Sequence, residues 1–339
     1  MLYLLLTYDY ELFFNKCFAS EEEVLINPTY DIAKALSNEG VSATFFVDTP
    51  SITAYLKLGL KSFPDMVKEQ VNALLNMKHD VQLHIHPIWN NAEYRDGEWL
   101  FNNDYYSLKS FKNVEEIIRD SKRCLDLLTE GNPHYKCCAF RAGGFCYSPV
   151  KELTETLYEL GIRIDSSVCK GMKMETFAQE FDYSKTPSKI NWYFDSDNMF
   201  QETINNRMLE IPIGTYGLVP NKWMLTHCMP KLSYPPRKGL STPTINKKRT
   251  TLFDKIIHSL NTPVLFTSDS LHASALLRIA RYYEKKAYNK KIYIALIAHP
   301  KFSSKISVDN TISFIQLVRK NCSNTRFITM QEVAIAEGL

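Results

Sequence analysis

Short apolar runs rich in β-branched residues alternate, along most of the chain, with stretches whose apolar residues recur every three or four positions. That alternation predicts a parallel sheet joined by crossover helices. Strands are predicted at Leu2–Tyr8, Val41–Val47, Val81–His86, Cys138–Arg141, Ile162–Asp165, Leu209–Ile213, Pro263–Phe266 and Ile292–Ile297. Helices are predicted over about Pro28–Asn38, Phe63–Met77, Val114–Thr129, Pro149–Leu160 and Ala273–Lys286. The first opens on a proline, which a first helical turn tolerates, and stops before Gly40.

Eight strands with helices between them, over 339 residues, predict an α/β fold. The expected form is a distorted (β/α) barrel of parallel strands, complete or incomplete, with a doubly wound open sheet as the alternative. No repeat or low-complexity linker divides the chain, so 1–339 reads as a single domain. The segment from about 216 to 262, rich in Pro, Lys and Thr, breaks the alternation. It reads as an insertion or long loop of the kind that lines a cleft.

Six polar residues stand at the carboxyl ends of predicted strands: Asp9, His84, His86, Arg141, Asp165 and His299. In a parallel barrel those ends converge on the face where active sites are built. Asp9 and Glu11, two apart, share a side if the chain stays extended, so one could hold a metal while the other takes a proton from water. Alone, such a pair more often has one member capping a turn and the other in solvent. His84 and His86 share a face on the same condition, which Pro87 favours by holding His86 extended. Two imidazoles and a carboxylate make a three-ligand site with a position open for water.

Arg141 runs into Gly143-Gly144, where backbone can approach a ligand closely, and could orient a carboxylate base. Asp165 could steady Arg141 or a ligand imidazole, or simply cap the turn at Ser166-Ser167. His299 is a candidate general acid, or else a core histidine.

Composition narrows the setting. A net charge of +3 with scattered basic residues argues against nucleic acid as a partner; the densest basic run, 285–291, reads as a solvated helix end. No stretch approaches the ~20 apolar residues of a membrane span. The apolar run Leu2 to Leu6 is shorter than the roughly 7–15 residues of a secretory signal. The expectation is a cytoplasmic protein whose eight cysteines are structural thiols, Cys137-Cys138 among them.

In their order, these motifs resemble the polysaccharide deacetylase family, carbohydrate esterase family 4 in the broad sense. The resemblance runs from Leu2 to about Lys301 and leaves 216–262 unmatched. It places the family's acidic motif on Thr7-Tyr8-Asp9-Tyr10-Glu11, its first metal histidine on His84, and its arginine motif on Arg141. The aspartate of its fourth motif falls on Asp165 and its late histidine on His299. Two departures stand out: an Asp-x-Glu replaces the family's aspartates, and the family's second histidine position is Ile88 here, so His86 substitutes.

The resemblance implies a distorted barrel and one divalent metal ion, Zn²⁺ first, held by Glu11, His84 and His86. Asp9 is then the base, oriented by Arg141, and His299 the acid, with the assignment of Asp9 and Glu11 reversible. The expected reaction is removal of an N-acetyl or N-formyl group from a sugar. The expected substrate is a small-molecule, nucleotide-linked or lipid-linked precursor in surface-polysaccharide biosynthesis. Two rivals are a catalytically silent glycan-binding or assembly protein on the same barrel and a metal-independent glycosidase with paired carboxylates.

Overall fold

The computed structural model describes residues 1–339 other than 16, 177–178, 205–207, 218–231 and 233–262. The long segment expected at 216–262 therefore lies almost wholly outside the described residues.

The longest described strand is β1 (Leu2–Tyr10), in which Leu2, Leu4, Leu5, Leu6 and Tyr8 are all buried. Parallel strands covered on both faces read as such near-continuous apolar runs. Each leucine so enclosed contributes roughly 1.5–3 kcal/mol. After it come α1 (Asn27–Asn38), β2 (Thr44–Asp48), α2 (Thr49–Lys57), α3 (Ser62–Asn76), β3 (Asp80–Ile85) and α4 (Val114–Leu128). The chain continues through β4 (Ala139–Ala142), α5 (Val150–Glu159), β5 (Ile164–Asp165), β6 (Trp192–Phe194) and β7 (Met208–Glu210). The last elements are α6 (Ala273–Lys286), β8 (Ile292–Ala298), α7 (Lys305–Asn321), β9 (Thr325–Phe327) and α8 (Met330–Glu337).

The nine strands form one sheet in the order β6-β7-β5-β4-β3-β2-β1-β8, with β9 beside the start of β1. All neighbours are parallel except β6 and β7. The sheet curls into a distorted, incomplete (β/α) barrel, only partly like a regular eight-fold one. Ile213 spans the seam through single bridges to Cys169 and to Ala295 of β8. The helices obey their apolar period. In α4, Val114, Ile117, Ile118, Ser121, Cys124, Leu125 and Leu128 are buried, while Glu115 and Glu116 favour the positive N-terminal end.

Pro263–Phe266 departs from expectation. Val264–Leu265 pairs antiparallel with Thr215–Tyr216, and contact with the main sheet comes just beyond it, through Thr267 and Ile297. The antiparallel edge β6, the strand β9 and helices α2, α7 and α8 lie in stretches where no element was predicted. The described cysteines are free, and Cys137 and Cys138 are fully enclosed in the core. Among the described residues no helix is long and apolar enough to cross a membrane.

Strand register positions the site. Asp48, His84 and Arg141 are direct neighbours across β2, β3 and β4. On β1, Tyr10 is opposite Val47, which sets Glu11 one step on beside Asp48; Tyr8 is opposite Ala298, which sets Asp9 beside His299.

Candidate metal centre and active site

Side chains alternate along β1. Tyr10 sends its hydroxyl outward to Gln70 Oε1 on α3, at 2.8 Å, so Asp9 and Glu11 on either side of it face the barrel end. His86 lies just past β3 but stays extended, with φ −100° and ψ 98°, as the following proline favours. Its backbone N–H donates to Asp48 Oδ1 at 2.8 Å.

Glu11 Oε2 then lies 3.1 Å from His84 Nε2 and 2.5 Å from His86 Nε2. These three buried groups are a cluster able to hold a metal. Donors around a tetrahedral zinc, with bonds near 2.0–2.1 Å, stand roughly 3.3 Å apart, so the two carboxylate–imidazole distances need open by less than an ångström, and all three donor atoms already lie within 4.8 Å of one another. The tautomer also suits ligation: His84 Nδ1 donates to the Arg141 carbonyl at 2.8 Å, which turns Nε2 toward the site. His86 Nδ1 is buried with no partner among the described residues. Gly143 is obligatory beside it, since a Cβ there would stand 2.6 Å from His86 Nδ1 and from the Ile85 carbonyl.

Electrostatics follow from burial and crowding. Burial works against the Glu11 charge, yet Lys301 and the two imidazoles outweigh it and hold the carboxyl well below its usual range. Burial pushes His86 down to about 4, in its neutral form. In His84 the carboxylates of Asp9 and Glu11 overcome burial and raise it to about 9. Burial lifts Asp48 to about 7.

Arg141 is fully buried, and all three of its nitrogens are bonded. Nε donates to the Ser166 carbonyl at 2.9 Å, one terminal nitrogen to Asp9 Oδ1 at 2.5 Å, and the other to Thr7 Oγ1 at 2.9 Å and Ser166 Oγ at 3.0 Å. Its plane also lies over Phe46, 4.2 Å from the ring centre. Asp9 Oδ2 is left facing the cluster, 3.8 Å from both His84 Nε2 and His299 Nε2.

His299, 18 % exposed, bonds through Nδ1 to Asp269 Oδ2 at 2.7 Å, while its backbone N–H donates to Asp269 Oδ1 at 3.0 Å. Among the described residues Nε2 has no partner closer than Glu11 Oε1 at 3.7 Å, and that nitrogen points into the site. Burial would push the imidazole down, but the Asp269 carboxylate overcomes it and the net shift is upward.

Six of the residues named from sequence therefore meet: Asp9, Glu11, His84, His86, Arg141 and His299. Asp165 stands apart. Its oxygens accept from the Ser167 hydroxyl at 2.7 Å and backbone N–H at 3.2 Å, and it neighbours Glu210 across β5 and β7. Its chain neighbour Ser166 grips Arg141 instead. Sequence reasoning missed three residues. Asp48 ends β2 and Asp269 follows the predicted strand Pro263–Phe266, so the strand-end rule would have found both. Lys301 carried no signal beyond standing two residues after His299.

No protein-family model matches the chain, and no curated protein sequence does. Among solved structures it is similar to a provisionally assigned polysaccharide deacetylase from Mycobacterium smegmatis: 12% identity, 100% of this chain and 91% of that one, TM-score 0.48. It is similar to a CE4-family pseudoenzyme from Bacillus anthracis at 10% identity, over 98% of this chain and 64% of that one, TM-score 0.39. A peptidoglycan deacetylase from Bacillus subtilis matches at 10% identity over 99% and 91%, TM-score 0.37. The solved structures to which the chain is similar are thus described as polysaccharide or peptidoglycan deacetylases and as a CE4-family pseudoenzyme.

Proposed function

We propose that the protein is a metal-dependent hydrolase that removes an acyl group, acetyl or formyl, from the nitrogen of a sugar. One observation carries this reading. Three donors (Glu11, His84 and His86) converge at a strand-end face between a carboxylate fixed by Arg141 and an imidazole fixed by Asp269.

A divalent ion, zinc first, would be held by Glu11, His84 and His86, and when bound it would polarise the acyl oxygen and acidify a water. Asp9 takes the proton of the attacking water on Oδ2, because Arg141 occupies Oδ1 and keeps the group aimed. His299, charged through its pairing with Asp269, gives a proton from Nε2 to the departing sugar nitrogen. Thr7, Ser166 and Phe46 stop Arg141 from moving, so Asp9 need not reorganise as the proton arrives.

The glycosidase alternative fares worse on the same geometry. It needs a carboxylic acid that is protonated at rest, and neither carboxylate of the cluster is one: Glu11 is held ionised by Lys301 and the imidazoles and Asp9 is paired with Arg141, which leaves only the raised carboxyl of Asp48 for that part. The silent reading has one specific observation in its favour: Glu11 is already neutralised by the buried Lys301 ammonium.

The substrate fitting this reading is a nucleotide- or lipid-linked N-acylated sugar, a precursor in surface-polysaccharide assembly. Acetate release from N-acetylated sugar substrates, by protein stripped with chelator and then given zinc, tests the proposal. Zinc-restored turnover that drops by ~10²–10⁴-fold in a folded, metal-loaded H299A variant is the expected result. Turnover that ignores chelator, or binding of N-acetylated sugar without turnover at full metal loading, would refute it.

A further inference from the structure

Lys301 stands two residues after His299, in the short helix Pro300–Phe302, and is 5% exposed. Its ammonium donates to Glu11 Oε1 at 2.7 Å and to the Leu12 carbonyl at 3.0 Å. It also lies over the rings of Phe13, Phe14 and Phe302, at 5.3, 4.8 and 5.5 Å from their centres. Removing an ammonium from water costs several kcal/mol unless its charge is answered, and Glu11 answers it here. The pair divides the work of one carboxylate. Oε1 belongs to Lys301, while Oε2 faces both imidazoles.

Resting on the reading of Glu11, His84 and His86 as metal ligands, we propose that Lys301 is a positioning residue that makes Glu11 a one-oxygen ligand and loosens the metal. With Oε1 occupied, Glu11 offers the ion a single donor, so coordination positions stay free for water and the acyl oxygen. The fixed positive charge, one carboxylate away from the ion, also opposes cation binding. At a few ångströms in a partly dry site, that repulsion is large enough to change affinity by tenfold or more.

A purely structural lysine predicts something different: its loss would lower stability and leave the metal site unchanged. The test uses the full chain, stripped with chelator and titrated with cobalt(II) at pH 8 against a chromophoric competitor, with visible spectra and melting recorded together. K301M should bind cobalt at least about tenfold more tightly. Its visible bands should weaken, because Glu11 can now bind through both oxygens and intensity falls as coordination number rises. K301R, which keeps charge and donors, should behave like the parent. K301Q is the substitute if K301M does not fold, with the same expected gain in affinity. Parent-like or weaker binding by the neutral variants overturns the inference and leaves the metal centre standing. A parent protein that takes up no cobalt overturns the metal reading, and this inference with it.

Discussion

Arg141 donates to Asp9 Oδ1 at 2.5 Å in a setting where the arginine is wholly buried and the aspartate nearly so. The pairing spans 132 residues of sequence and fixes which oxygen of Asp9 is free to accept a proton. Breaking a buried ion pair from one side leaves an uncompensated charge, at a cost of about 3–5 kcal/mol. R141M should therefore lose roughly that much stability in denaturant unfolding. It should retain metal, since Arg141 supplies His84 with only its backbone carbonyl. Unchanged stability would show that Asp9 is rescued by another partner.

Asp9 and Glu11 should separate in their phenotypes. E11Q should lose metal, because Glu11 Oε2 lies against both imidazoles. D9N should keep metal and lose turnover by ~10²–10⁴-fold, the usual cost of removing a general base. Metal content per folded molecule and turnover per bound metal distinguish the two. The reverse pattern would exchange their roles.

The alkaline limb of the pH–rate profile should belong to His299. As a general acid it works in its charged form, which is held above its ordinary range by Asp269 against the opposing effect of burial. Activity should thus persist above the usual histidine pKa of about 6.5 and fall as pH rises past the shifted value. D269N removes the raising charge, so its limb should move to lower pH. A limb that stays in place in D269N would assign it to a different group.

Gly143 offers a test that replaces no ionisable group. A methyl group there would meet His86 Nδ1 and the Ile85 carbonyl at 2.6 Å, closer than real contacts allow. G143A should fold with β3 and β4 slightly displaced and bind zinc at least tenfold more weakly. Parent-like zinc affinity would mean that His86 can yield without ceasing to ligate, or that it is no ligand.

Much of this was legible in the residues. Parallel strands buried on both faces leave long apolar runs, so β1 and β8 announce themselves, β3 shows through its alternation of polar and apolar residues, and a polar residue closing such a stretch is conspicuous. That logic finds Asp9, His84, Arg141 and His299. It finds the pairing of His84 with His86 too, because two residues apart means one face when the chain is extended. Short elements without a long apolar run escaped: β6 and β9 are three residues each. Asp165 illustrates a different limit. Its place at a strand end was read correctly, but hydroxyls next to it can satisfy either it or Arg141, and only the fold decides that Ser167 takes the aspartate while Ser166 takes the arginine.

The row formed by Asp48, His84 and Arg141 carries a further consequence for how the protein can fail. These residues belong to three strands and meet only because each strand is in step with the next. A slip of one residue in any pairing would turn that strand's contribution toward the helix layer, since side chains alternate with period two. A slip of β3 would take His84 out of the centre, and a slip of β2 or β4 would take away Asp48 or Arg141, which hold His86 and Asp9; each slip also buries a charge or an imidazole among aliphatic side chains. The polar row thus acts as a register check for the sheet.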